Sequence, residues 1–86
     1  MAKKLVEKSF KLIDASMEMQ QLGLRIREIR KRKGYSSYET FANEHDIHRV
    51  QWGRYEQGKD LYFSTVIRII RVLDVSVEEF FSEGFD

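Results

Sequence analysis

Cysteine and proline are both missing from the 86 residues. Without cysteine there is no disulfide framework and no thiolate metal site, which suits a reducing compartment. Without proline, punctuation falls to Gly23, Gly34, Gly53, Gly58 and Gly84. Long apolar runs are missing too. No stretch approaches the roughly 20 apolar residues of a membrane span, and the lysine-containing start is not followed by a signal-peptide core. The expectation is a soluble, cytoplasmic protein that does not meet a membrane. Strand-like alternation is also lacking, so the fold class expected is all-α. A chain this short buries only about 60% of its unfolded surface, and a deep catalytic pocket is not expected of it. It shows no nucleophile–base–orienter set, no glycine-rich phosphate loop and no paired catalytic carboxylates. It therefore reads as a non-enzyme that needs no cofactor.

One constellation invites a metal reading: His45 and His48, beside Glu44 and Asp46. No further His or Cys exists, and the turn between the two imidazoles keeps them off one helical face. No metal site is expected.

Charge is present in near balance but unevenly spread. Residues 1–20 carry four Lys against three acids, a net of +1. Residues 21–59 carry nine Lys/Arg against five acids, a net of +4, and residues 60–86 carry two Arg against six acids, a net of −4. The middle of the chain attracts polyanions, although a solvated basic helix face has the same composition.

Apolar spacing outlines the helices. Residues 3–20 predict an amphipathic helix with two apolar lines, Leu5, Leu12, Met19 and Val6, Phe10, Ile13, Met17. The first line runs on through Leu22, Ile26 and Ile29, the stripe of the next helix, with Gly23 between them. That helix closes on the basic run Arg30 to Lys33, where cations meet the negative end of the dipole, and Gly34 follows as the terminating residue. Ser37 is the expected N-cap of a helix over about 38–45. A turn at Asp46-Ile47 leads into a helix over about 48–57, stopped by Gly58. Ser64 is expected to open a helix with the core stripe Val66, Ile69, Ile70 and Leu73. Ser76 and Glu79 form a capping-box pattern ahead of Phe80 and Phe81.

The stretch from Ser37 to Gly58 carries the function. A helix-turn-helix needs a small residue at the helix crossing, a turn residue that tolerates positive φ, and apolar inner faces. Ala42 meets the first need, Asp46 the second, and Phe41, Ile47, Trp52 and Tyr55 the third. Arg49, Val50, Gln51, Gly53 and Arg54 are left outside, a short polar and basic face suited to a major groove.

The pieces Leu22-Gly23-Leu24-Arg25-Ile26-Arg27-Glu28-Ile29-Arg30, Phe41-Ala42, Arg54-Tyr55-Glu56-Gln57-Gly58-Lys59 and Val72-Leu73-Asp74-Val75-Ser76-Val77-Glu78-Glu79-Phe80-Phe81 resemble the Cro/repressor class of bacterial and phage regulators, the Xre family. The resemblance implies a lambda-repressor-like five-helix domain over 21–86, to which residues 1–20 add an N-terminal helix. It implies a transcriptional regulator, a repressor, that binds double-stranded DNA as a homodimer with the helix at about 48–57 as reader. On it, Arg49, Val50 and Gln51 contact bases, with Gly53 and Arg54 one turn on. Lys59 contacts the DNA backbone, His48 starts the reader near phosphates, and Ser37 and Tyr38 lie at a phosphate-contacting helix start. Arg30 and Glu56 are implied to pair, bracing the first helix against the reader's end. The sequence departs from the family pattern in a longer loop at Gly34-Tyr35-Ser36, a shorter proline-free one at Asp60-Leu61-Tyr62, Tyr38 in place of Gln, and His45 at a position usually apolar.

Two apolar surfaces are candidates for pairing two copies: the line Val6, Phe10, Ile13, Met17, and the patch Phe80, Phe81, Phe85. Phe80 and Phe81 also fit as caps on the domain's own core. The N-terminal helix fits either a dimer arm or a helix folded back, and it supports an alternative function, an antitoxin-like or scaffold module of the same fold that binds a protein partner.

Overall fold

A computed structural model describes residues 9–59 and 61–86. Leu5 and Val6 of the expected first helix lie outside the described residues. Within them the order is a 3-10 turn at Phe10–Leu12, then α1 (Ser16–Arg32), α2 (Tyr38–Glu44), α3 (Arg49–Glu56), α4 (Phe63–Val72) and α5 (Val77–Phe80), and no strand. The all-α fold with five helices is as expected.

The expected helix over 3–20 requires correction. Residues 13–15 interrupt it, with Ile13 in extended backbone at ψ 125. The cause is local: the Asp14 carboxylate accepts the Ser16 backbone N–H at 2.9 Å and offers the chain a helix start instead of a continuation. That hydrogen bond holds the Asp14 carboxyl below the usual carboxylate value. Met17, Met19 and Gln20 then belong to α1, which passes through Gly23 unbroken.

Four helices end the same way. The residue after the C-cap takes a left-handed conformation: Gly34 (φ 100), Asp46 (φ 58), Gly58 (φ 70) and Asp74 (φ 61). The next residue's N–H then reaches back to a carbonyl of the last turn, in Tyr35 to Arg30, Ile47 to Ala42, Lys59 to Arg54 and Val75 to Ile70. These are Schellman closures, which satisfy carbonyls otherwise orphaned at a helix end. Aspartate serves twice in place of glycine because its short polar side chain tolerates this region. Helix starts are mixed. Ser37 and Ser76 cap α2 and α5 by accepting the N–H of Thr40 (3.3 Å) and Glu79 (3.0 Å). The expected start at Ser64 is displaced: Tyr62 is the N-cap of α4, without a side-chain hydrogen bond.

Leu22, Ile26 and Ile29 of α1 meet Phe41 and Ala42 of α2, Trp52 of α3, Val66, Ile69 and Ile70 of α4, Leu73 and Phe80 in one buried core. Each full-size member contributes about 1.5–3 kcal/mol by leaving water. Phe80 is fully buried, so it is excluded from the exposed patch proposed for pairing; a one-turn helix turns it inward while Phe81 stays 40 % exposed. Phe85 is half-buried against the core.

Arg25 is buried in the α1 stripe. Its Nε donates to the Phe80 carbonyl at 2.7 Å, Nη2 to the Glu79 carbonyl at 2.8 Å, and Nη1 to Glu28 Oε1 at 2.8 Å. The guanidinium thus closes the C-terminal end of α5, whose carbonyls have no helical partner, with charge-assisted bonds.

Candidate nucleic-acid interface

The geometry of the candidate interface begins behind α3. Trp52 is fully buried, packed at 4.8 Å between ring centroids on Phe41 and edge-on to Tyr55 at 5.6 Å. Glu56, one turn on, accepts the Trp52 indole N–H at 2.7 Å and the Arg30 guanidinium through both oxygens, at 2.9 and 2.8 Å. The third guanidinium nitrogen of Arg30, Nη1, donates to the Tyr35 carbonyl at 2.7 Å. The Arg30–Glu56 pair is as the resemblance implied. A bidentate buried pair of this kind fixes angle as well as distance, so α3 is held rigidly against α1.

Helical spacing of about 100° per residue then decides what faces out. Val50, Arg54 and Gln57 stand opposite Trp52 and are exposed, with Gln51 and Arg49, also exposed, on the two flanks. Gln57 joins this row although the sequence reading passed over it. Arg49 lies beside α2, with Nη1 4.0 Å from Glu39 Oε2. Gly53 is different: it is half-buried, and a Cβ there would meet the Tyr38 ring at 3.5 Å. Tyr38 covers this part of the helix, so Gly53 is a floor for Tyr38 more than an open contact point.

Two expected site residues are engaged in building helix starts. Ser37 is half-buried and caps α2. His48 caps α3, its Nδ1 accepting the Val50 N–H at 3.3 Å, which leaves Nε2 as the outward ring nitrogen. Lys59 is exposed, just past the α3 closure.

A groove of about 520 Å³ runs between α1, α2 and α3, with Arg27, Lys31, Ser37, Tyr38, Gly53 and Gln57 in its lining. Lys31 belongs to the basic run read from sequence as the end of α1, whereas Arg27 was not singled out as a contact. Their signal is positional: both sit on the α1 face opposite Ile26 and Ile29, one turn apart. Behind α2, the Tyr35 hydroxyl donates to Glu44 at 2.9 Å, which holds the phenol above its ordinary pKa. His45 is half-buried, stacked on Phe41 at 4.1 Å with Nδ1 2.8 Å from the Phe41 carbonyl, so it fills its usually apolar slot as an inner-face group.

The family model for a helix-turn-helix domain matches residues 21–80. Neither the curated proteins nor the solved structures yield a match. The matched span covers well over half of the chain, beginning inside α1 and ending at the last residue of α5. With Ala42 buried at the crossing of α2 and α3, and Asp46 left-handed in the turn between them, the chain belongs to the helix-turn-helix domain family.

Proposed function

We propose that the chain is a sequence-specific double-stranded DNA-binding regulator of the Cro/repressor (Xre) type, acting as a repressor in the cytoplasm, not an enzyme. The observation that carries this reading is the division of α3. Its inner side is locked by the Trp52–Glu56–Arg30 contacts, while its outer row presents Val50, Gln51, Arg54 and Gln57 to solvent with Arg49 at the edge. A helix so presented suits a major groove, where arginine matches guanine O6/N7, glutamine matches adenine N6/N7, and valine packs on a thymine methyl. Arg54 within that row, with Arg27, Lys31 and Lys59 outside it, supplies phosphate contacts. One such helix offers few base contacts, so the active unit is a homodimer reading two half-sites about 34–36 Å apart.

The test is selection of bound sites from a random duplex library, followed by affinity against salt. A regulator of this kind enriches a two-fold-related motif and weakens steeply as salt rises. Absence of enrichment together with salt-insensitive binding overturns it. The protein-partner reading, antitoxin-like or scaffold, draws its support from the apolar side chains of residues 10–17, which are exposed in the described fold.

A further inference from the structure

The outer face of α3 carries two arginines that differ in one respect. Arg49, the first residue of the helix, lies with Nη1 4.0 Å from Oε2 of Glu39, which stands in the first turn of α2. Among the described residues Arg54 has no carboxylate within 4.0 Å. Both partners of the Arg49 pair are open to solvent, with side chains 69 and 55 % exposed. An exposed pair of this kind contributes little to folding. At 4.0 Å it lies beyond hydrogen-bond reach, so the carboxylate biases where the guanidinium sits without using up its donors.

We propose that Glu39 is a specificity-determining residue, one that positions Arg49 and withholds it from DNA phosphates in favour of a guanine edge. The proposal rests on the base-reading role given to Arg49 above. Sequence-independent binding comes from cations that neutralise phosphates and release counterions. Arg54 can do so on any duplex. Arg49 does so at reduced strength, because a phosphate drawn to its guanidinium also meets the Glu39 charge, and like charges at such range repel. A guanine instead offers neutral acceptors, O6 and N7, which take two directional hydrogen bonds from one edge of the guanidinium. The carboxylate then stays beside the positive charge without opposing the base. Glu39 therefore weakens random duplex more than it weakens a site with guanine at the matching position, and that difference is discrimination. Its place in the first turn of α2 also complements the helix dipole. That structural role acts on α2 alone and does not move base preference, so base preference separates the two.

The experiment is site selection and duplex affinity for the full-length chain, Glu39→Gln, Arg49→Ala and the double variant, with Glu44→Gln as control. Glutamine keeps the shape of the exposed Glu39 side chain, so the fold is retained. Glu44, the other acid of α2, loses the same charge, and its glutamine still accepts the Tyr35 hydroxyl. Glu39→Gln should tighten binding to random duplex and lower the guanine preference at the Arg49 base pair by about two- to fivefold, the range an exposed ion pair carries. In the Arg49→Ala background the same change should leave preference at that base pair as it is, because the group it positions is gone. Glu44→Gln should strengthen all duplexes alike. A guanine preference that Glu39→Gln leaves intact, or alters no more than Glu44→Gln does, overturns the proposal while the DNA-binding reading stands. An effect on base preference that persists without Arg49 overturns it too, since Glu39 then meets a base itself. A motif unmoved by Arg49→Ala removes the base contact on which the proposal rests. A chain that enriches no motif at all removes the DNA-binding reading, and the proposal with it.

Discussion

A Cβ built on Gly23 would lie 2.5 Å from the carbonyl oxygen of Glu56 and 2.6 Å from the backbone N of Gly58, closer than real side chains approach backbone. Gly23 is therefore the point where α1 and the end of α3 touch through their main chains. Gly23→Ala gains about 1 kcal/mol in helix propensity but forces two backbones apart, a loss of about 1–3 kcal/mol or more. The expected outcome is a net fall in the urea midpoint, with an unchanged or higher midpoint contradicting the close crossing.

Gly53 predicts the opposite sign. It lies inside α3, and a Cβ there meets the Tyr38 ring at 3.5 Å, an ordinary contact. Gly53→Ala should stabilise by about 0.5–1 kcal/mol, which raises Tm by roughly 2–8 °C in a domain this size. Thermal unfolding of the two alanine variants side by side decides whether packing or propensity governs each glycine.

Glu56→Ala leaves the Arg30 guanidinium and the Trp52 indole N–H buried without their acceptor. Breaking one partner of a buried pair costs about 3–5 kcal/mol, a large share of a small domain's stability. Replacing both charges in Arg30→Met/Glu56→Leu should recover much of it, because no uncompensated charge is then buried. Urea unfolding of the single and double variants measures the difference.

How far these features are legible in the sequence depends on whether their cause is local. Ser37 and Ser76 could be read as helix starts because each cap is one side chain reaching a nearby N–H. The start of α4 could not, since Tyr62 caps nothing with its side chain. The apolar lines of residues 3–20 were a true periodicity, but one carboxylate at Asp14 outweighed it. Phe80, Phe81 and Phe85 look alike in sequence, and only the docking of a one-turn helix separates the buried one from its neighbours. Arg25 was hidden because arginine is ordinarily a surface residue. Its position three after Leu22 and four before Ile29 was the available clue. In the reading face, Arg49, Val50, Gln51 and Arg54 followed from the 3.6-residue period alone, whereas Glu39 beside Arg49 required the angle between two helices.

That neighbour makes Arg49 the most specific DNA prediction. Arg49→Ala should relax the preference at one base pair per half-site, a loss of about 1–3 kcal/mol in discrimination. Glu39→Gln removes an acid 4.0 Å from Arg49, and should tighten binding to random duplex while narrowing the gap to the selected site. Site selection with each variant is the measurement, and unchanged preferences for Arg49→Ala would refute base reading there.

Arg54 and Lys59 are expected on phosphates, together with Lys31 in the α1–α2–α3 groove. Each alanine variant should weaken all duplexes alike and lower the salt slope by about one. A loss confined to particular sequences would move that residue to the base-reading set.

The placement of Trp52 also turns the unlabelled protein into its own optical gauge. It is the chain's one tryptophan, sealed from water and bonded to the carboxylate that also holds α1. Its emission wavelength therefore follows the docking of the reader helix, while ligands on the opposite, outer row leave the indole's surroundings as they are. A red shift during a DNA titration marks α3 coming away from the core, and binding at constant wavelength marks recognition by an intact reader.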